Sequence, residues 1–302
     1  MTALRAADIA RLTLLAAIWG ASFIFTRALA PVLGAPLTAS SRVLLAGIAL
    51  IAYFRIIGFD AGLRRHWREF LVIGVLNSAL PFLLFSFAAL HLPASYSAIL
   101  NATTPLFALL LSALWLGERL TAGRMYGLAA GVCGVALVTR AGPVEPDTMF
   151  AVAAGACLLA ALSYAFAGMY IKRRATGITP MAIAGWAQFF AGVVLLPLIP
   201  VQVPVGPITP TVVAMTLVLA LVCSGAAYLL YYRLMSDIGP TRTLSVTFLI
   251  PLFAMVWGAL FLSETITPAM VAGCALIVGG TVLVNRPSRA LAAARRATTG
   301  RT

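Results

Sequence analysis

Pro105-Leu106-Phe107-Ala108 returns as Pro251-Leu252-Phe253-Ala254, and the match runs on without a gap through Ala113/Ala259, Leu114/Leu260, Leu116/Leu262, Glu118/Glu264, Thr121/Thr267, Gly127/Gly273 and Gly134/Gly280. The two stretches stand about 146 positions apart and agree at about a third of their positions, which marks an internal duplication. In so apolar a chain Leu, Ala and Val coincide by chance; a proline, an acid and two glycines held in one register do not. Two copies of one unit in a membrane protein point to transport.

The membrane follows from composition. Of the 302 residues 62% are hydrophobic and 10% charged, whereas soluble domains are about 45–50% apolar. Apolar stretches able to cross about 30 Å of hydrocarbon follow one another with short connections. They predict spans near 9–30, 36–56, 69–90, 93–116, 121–138, 148–171, 179–200, 211–235, 241–262 and 268–285. The runs are continuous and rich in Leu and Ala, so they do not read as the alternating segments of a β-barrel. The expected fold is an all-α polytopic membrane protein of ten transmembrane helices.

The net charge of +13 would suit a nucleic-acid binder, but the basic residues lie where a membrane topology needs them. Counting loops from a cytoplasmic N-terminus puts Arg5, Arg11, Arg55, Arg64, Arg65, Arg68, Arg119, Arg124, Lys172, Arg173, Arg174, Arg233, Arg242 and the tail arginines inside. Arg27, Arg42 and Arg140 are left outside. This bias obeys the positive-inside rule and predicts two cytoplasmic termini in a bacterial-type inner membrane, with membrane lipids and not nucleic acid as partners. Five helices per copy then force the second copy to enter the membrane the other way up. The halves are expected to be inverted repeats: 1–140, a turn-rich linker at 141–147, 148–286, and a basic tail at 287–302.

Cys133, Cys157, Cys223 and Cys274 fall inside spans without Cys-x-x-Cys spacing and read as small buried side chains. All eight acids lie at span ends or in loops, so no carboxylate waits at mid-membrane for a proton or sodium. No metal set, catalytic residue or cofactor is expected; neither His-Glu-x-x-His nor Gly-x-Ser-x-Gly occurs. Glu118 and Glu264, between spans four and five and between nine and ten, read as structural caps on the helix that follows. Pro105 and Pro251 bend spans four and nine and are the candidate gating hinges. The glycines of spans five and ten, Gly123, Gly127, Gly131, Gly273, Gly279 and Gly280, allow close backbone approach. Packing within one monomer is favoured over a homodimer through this face.

The substrate site is expected among polar and aromatic side chains away from the membrane surfaces. The polar set is Asn77, Ser78, Asn101, Gln188, Ser224 and Ser245; Ser97, Asn101 and Thr104 share one helix face at i, i+4 and i+7. The aromatic set is Trp19, Phe82, Tyr96, Tyr164, Trp186 and Tyr228. Amides at mid-span need partners that their own helix cannot supply.

The Pro-Leu-Phe-Ala segment, the following Leu-x-Leu-[Gly/Ser]-Glu-x-[Leu/Ile]-Thr pattern, the Gly-spaced closing helix, the opening Ala-Ala-Ile-Trp19-Gly20-Ala-Ser-Phe and Arg42 of span two resemble the EamA family of the drug/metabolite transporter superfamily over residues 8–286. Tyr164-Ala165 stands where the second repeat would open with Trp-Gly. The resemblance implies export of small metabolites by alternating access, with amino acids foremost, and the aromatic interior is similar to the branch that exports aromatic amino acids. Facilitated or weakly coupled transport is expected. The alternatives are an organophosphate or nucleotide-sugar exchanger, for which Arg42 or Arg242 would have to hold phosphate, and, from another class, a membrane-embedded enzyme, a channel or a scaffold.

Overall fold

A computed structural model describes residues 5–118, 120–142, 144, 147–202 and 204–285. Arg119, Pro143, Glu145, Pro146 and the basic tail, all part of the topology and linker readings above, lie outside the described residues. Among the described residues nine helices are long and apolar enough to cross a membrane: α1 Ala6–Leu33, α2 Ala35–Ile56, α3 Leu63–Ala88, α4 Ala94–Trp115, α5 Ala122–Ala141, α6 Thr148–Arg174, α7 Pro180–Val201, α8 Pro210–Ile238 and, last of them, α10 Pro268–Asn285. Between the last two lies α9, Val246–Leu262, of 17 residues. It is shorter than the expected 241–262, because the chain makes one helical turn at Pro240–Thr243 and a kink at Leu244 and Ser245 before α9 begins. The expectation of ten helices holds.

The loops sort onto two faces. Arg11 near the start of α1 pairs with Asp237 near the end of α8 at 2.9 Å, which fixes the N-terminal face. On the opposite face, Gly34 between α1 and α2 takes φ = 79° and its neighbour Ala35 donates its N–H to Gln202 Oε1 at 3.1 Å. Gly34 is required there: its left-handed φ strains a side chain, and a Cβ would meet Gln202 at 3.1 Å.

Glycine also determines the two tightest helix pairs. α5 lies along α10, where a Cβ on Gly134 would sit 2.7 Å from the Gly273 carbonyl oxygen and one on Gly127 2.6 Å from that of Gly280. The small-residue stripe of α5 is thus consumed inside the molecule at these positions, while Gly123 and Gly279 face open space. α2 crosses α7 by the same device, with Gly47 against Phe189 and Gly192 against Leu44. α2 and α7 hold corresponding places in the two matched repeats, as α5 and α10 do.

Two helices lose the regular i→i+4 ladder at corresponding places. A π-helix occupies Val75–Ala79 in α3 and another Val218–Ala226 in α8. Such bulges free carbonyls and turn side chains off the regular register. α4 is interrupted outright: helix runs over Ala94–Asn101, breaks at Ala102 and Thr103, and resumes at Thr104 with Pro105 in its first turn. Proline fits that place because its missing N–H is unpaired in a first turn anyway. Pro251, in contrast, lies inside the unbroken α9.

Candidate functional site

Arg42 leaves α2 for the interior. It is 8% exposed. Its Nε donates to Ser224 Oγ at 2.9 Å, and its guanidinium lies 3.9 Å from the centroid of the Phe82 ring. Ser224 sits in the α8 π-helix and is itself fully buried; its hydroxyl donates to the Leu219 carbonyl at 3.1 Å, so a lone pair is left to accept from Arg42. Tyr164, Cys223 and Tyr228 complete the surroundings of the charge. Among the described residues no carboxylate lies within ion-pair distance of it. Loop counting tallies Arg42 with the outside charges although it falls in span two; the structure buries its side chain inside the molecule.

Aromatic rings wall this centre from two sides. Tyr164 of α6 lies 6.5 Å from Phe82 and stacks on Phe85 at 6.3 Å. Trp19 of α1 meets Tyr228 at 5.9 Å and Tyr231 at 5.3 Å, and Tyr232 adjoins both tyrosines. Asn77 of the α3 π-helix lies beside Tyr228 of α8. The same π-helix frees the Leu76 carbonyl, which accepts from Ser163 Oγ at 2.7 Å and ties α3 to α6. Trp19, Asn77, Phe82, Tyr164, Ser224 and Tyr228 are therefore brought together, with Arg42 among them.

The other expected positions are dispersed. Ser78 and Gln188 are buried, and both amide atoms of Gln188 lack a hydrogen-bond partner. Asn101 Oδ1 is likewise without a partner. The break in α4 separates Ser97 and Asn101 from Thr104, so the single polar helix face expected for these three is not formed. Tyr96 is fully buried against Phe150, its hydroxyl beside Gly142 on the opposite face. Ser245 donates to the Arg242 carbonyl at 2.7 Å in the kink ahead of α9. Trp186 packs on Phe189 and Phe190 and lines a cavity of 710 Å³ on the N-terminal face. Arg55, Arg64, Arg65 and His66 ring this cavity together with Asp60, whose Oδ1 accepts from the Gly62 N–H. Phe54 forms part of its wall and packs with Tyr228 and Tyr232 behind it, so an aromatic floor separates the vestibule from Arg42.

The opposite face is latched. Glu264 Oε1 accepts from the Ala94 N–H at 2.6 Å, and Oε2 accepts from the Ser95 N–H at 3.1 Å and the Ser95 hydroxyl at 2.6 Å. This carboxylate caps the start of α4, not that of α10 as its position in the chain suggests. The local cap of α10 is Thr267, whose Oγ1 accepts from the Met270 N–H at 3.3 Å. Arg27 donates to the Ala89 carbonyl beside the latch, and a recess of 330 Å³ opens between Arg27, Pro31, Pro93, Leu262 and Glu264. On the N-terminal face Glu118 instead forms an exposed ion pair with Arg124 at 3.2 Å, and Thr121 caps α5.

Sequence reasoning left Arg42 out of the amino-acid site and named it only as a phosphate ligand of the exchanger alternative. The available signal was an arginine inside a long apolar window, a position that by itself points to function in a membrane helix.

The description of the EamA-like transporter family matches residues 9–140 and again 151–286. Protein PecM of Dickeya dadantii is 30% identical over 274 residues, 88% of each chain. A probable terminal-alkyne amino-acid exporter of Streptantibioticus cattleyicolor is 29% identical over 262 residues, 86% of each chain. A solved crystal structure at 17% identity covers 93% of this chain and 98% of its own with a TM-score of 0.66, which shows a shared fold.

Proposed function

Because the chain belongs to the EamA-like transporter family, we propose that this multi-pass membrane transporter exports small zwitterionic metabolites, amino acids with apolar or aromatic side chains foremost. The observation that carries the reading is the interior cluster in which Trp19, Phe82, Tyr164 and Tyr228 surround a few polar groups, Asn77, Ser224 and Arg42. Rings of this kind hold an apolar body, and the polar groups orient its head. The 29%-identical relative named as a probable terminal-alkyne amino-acid exporter supports the same class.

Transport proceeds by alternating access between the inverted repeats, with the interruption ahead of Pro105 and the kink ahead of α9 as the flexible points. The arginine-rich N-terminal face is read as the cytoplasmic one under the positive-inside rule, with both termini on that side of an inner membrane. The vestibule on that face and the latch on the other make the conformation inward-facing, with the floor of Phe54, Tyr228 and Tyr232 still closed over the central cluster. The acids in the described helices serve ends and turns, so flux follows the substrate gradient. The functional unit is the monomer, since Gly127 and Gly134 of α5 close against Gly280 and Gly273 of α10 within one chain.

Counterflow of labelled phenylalanine and leucine into proteoliposomes, with and without a pH step, tests this. Saturable exchange that cross-competes between the two and survives collapse of the proton gradient is expected. Flux that vanishes without the gradient would overturn the facilitative mode, and absence of exchange for any amino acid would overturn the cargo class.

A further inference from the structure

Resting on the reading of the central cluster as the cargo site, we propose that Arg42 anchors a carboxylate of the cargo and that the substrates are therefore monocarboxylates with an apolar or aromatic body. A guanidinium carries five N–H donors in a planar fork. Among the described residues Ser224 Oγ is its one hydrogen-bond acceptor, and it takes the Nε proton. The Phe82 ring covers a flat face of the group at 3.9 Å and leaves the edge that bears the two terminal nitrogens. That edge is the one that receives a carboxylate as two parallel hydrogen bonds.

The charge balance points the same way. A cation held in a membrane interior is costly unless an anion meets it, and the protein supplies no carboxylate there among the described residues. Stacking on Phe82 and one hydroxyl offset part of that cost; the carboxylate of a cargo molecule supplies the rest. In the second repeat the place of Arg42 is held by Gln188, which is 1% exposed with both amide atoms unpartnered. Among the described residues Arg42 is thus the one buried cation, which matches a monoanion better than the dianion of a phosphate ester. The vestibule adds steering: Arg55, Arg64 and Arg65 outnumber Asp60 on its rim and favour entry of anions from that side.

Ligand binding to the full-length protein in detergent, read as a shift of the melting temperature with concentration, tests the assignment. The panel pairs phenylalanine with phenethylamine and leucine with isoamylamine, and adds 3-phenylpropionate, against the wild type, Arg42→Gln and Arg42→Lys. The acids are expected to stabilise the wild type and the amines not to. Arg42→Gln should bind the acids roughly 10- to 100-fold more weakly, the loss of a charge-assisted hydrogen-bond pair, and Arg42→Lys should lie between. Because the wild type alone distinguishes acid from amine, a variant that fails to fold does not remove the test. Amines that bind as well as acids, or acids that bind Arg42→Gln within threefold of the wild type, would overturn the anchor while leaving the amino-acid reading standing. Binding of 3-phenylpropionate without phenylalanine or leucine would keep the anchor and sink the amino-acid reading. No shift with any acid would overturn both.

Discussion

The turn that joins α4 to α5 and the turn that joins α9 to α10 share one backbone design and do different work. Each ends its first helix with a left-handed residue, Gly117 at φ = 64° and Ser263 at φ = 53°. Each closes by a hydrogen bond from the glutamate N–H to the carbonyl at the same register position, Ser112 in one and Gly258 in the other. Each starts its second helix with a threonine cap, Thr121 and Thr267. Only the carboxylates part company. Glu264 spans to the start of α4, whereas Glu118 stays with Arg124 on its own turn. The lesson is that equal local sequence fixes the local turn, and that the remote partner decides whether the face is latched.

The remote partners differ in donors. Ala94 and Ser95 correspond in the repeat to Pro240 and Thr241, and proline has no N–H to give. Room differs as well. A Cβ on Gly258 would stand 2.5 Å from Glu264 Oε2, while Ser112 carries a Cβ at that place in the first repeat. The asymmetry between the faces is thus written into the chain, and the Glu264 latch favours closure of its own face.

Removing the latch should have the largest effect. Glu264→Ala leaves three donors on the buried Ala94 and Ser95 without their acceptor, a loss of about 3 kcal/mol. Glu118→Ala breaks an exposed ion pair and should cost about 0.5 kcal/mol or less. Melting of the two variants in detergent, with hydrogen exchange of the amides at 94 and 95, checks the contrast. Equal melting temperatures would mean that the two turns are energetically alike after all.

Much of the fold was legible because its signals are local or periodic. Apolar windows gave the spans, the Pro-Leu-Phe-Ala register gave the duplication, and glycine spacing marked the helix faces that meet in α5 and α10. The centre was legible in part. Trp19, Asn77, Tyr164, Ser224 and Tyr228 are conspicuous as polar or amphipathic residues at mid-span, and they do converge. Arg42 was seen in span two but tallied with the outside charges, so its place in the cluster was missed. The π-helices over Val75–Ala79 and Val218–Ala226 have no signature in composition. Nor does a capping rule reveal that Glu264 serves a helix 169 or more residues away, because capping signals are read from neighbours in the chain.

Two narrower changes address the sources of the asymmetry. Gly258→Ala places a methyl group where the Glu264 carboxylate lies and should cost about 2 kcal/mol by forcing the latch off its partners. Ser112→Ala at the corresponding place should be close to neutral, and the same melting assay separates them. Ala94→Pro is milder. It deletes the N–H that donates at 2.6 Å and makes the start of α4 resemble that of α9. Proline is accepted in a first turn, and Pro93 before it already has the extended φ of −56° and ψ of 152° that a following proline requires. The loss should be about 1 kcal/mol, confined to the latch, and faster exchange at Ser95 without change elsewhere would register it.

The smallest effect concerns the turn itself. Ser263 is the one non-glycine residue with positive φ among the described residues, held at φ = 53°, whereas the first repeat places Gly117 there. A side chain in that region costs about 1 kcal/mol, and glycine removes this strain at the expense of greater freedom in the unfolded chain. Ser263→Gly should therefore raise stability by a few tenths of a kcal/mol, while Gly117→Ala should lower it by about 1 kcal/mol. The signs are opposite because the two turns share a backbone and differ only in which residue bears the strain. If both substitutions moved the melting temperature in the same direction, the left-handed geometry would not govern these turns, and the difference between the faces would have to be sought in the helices that flank them.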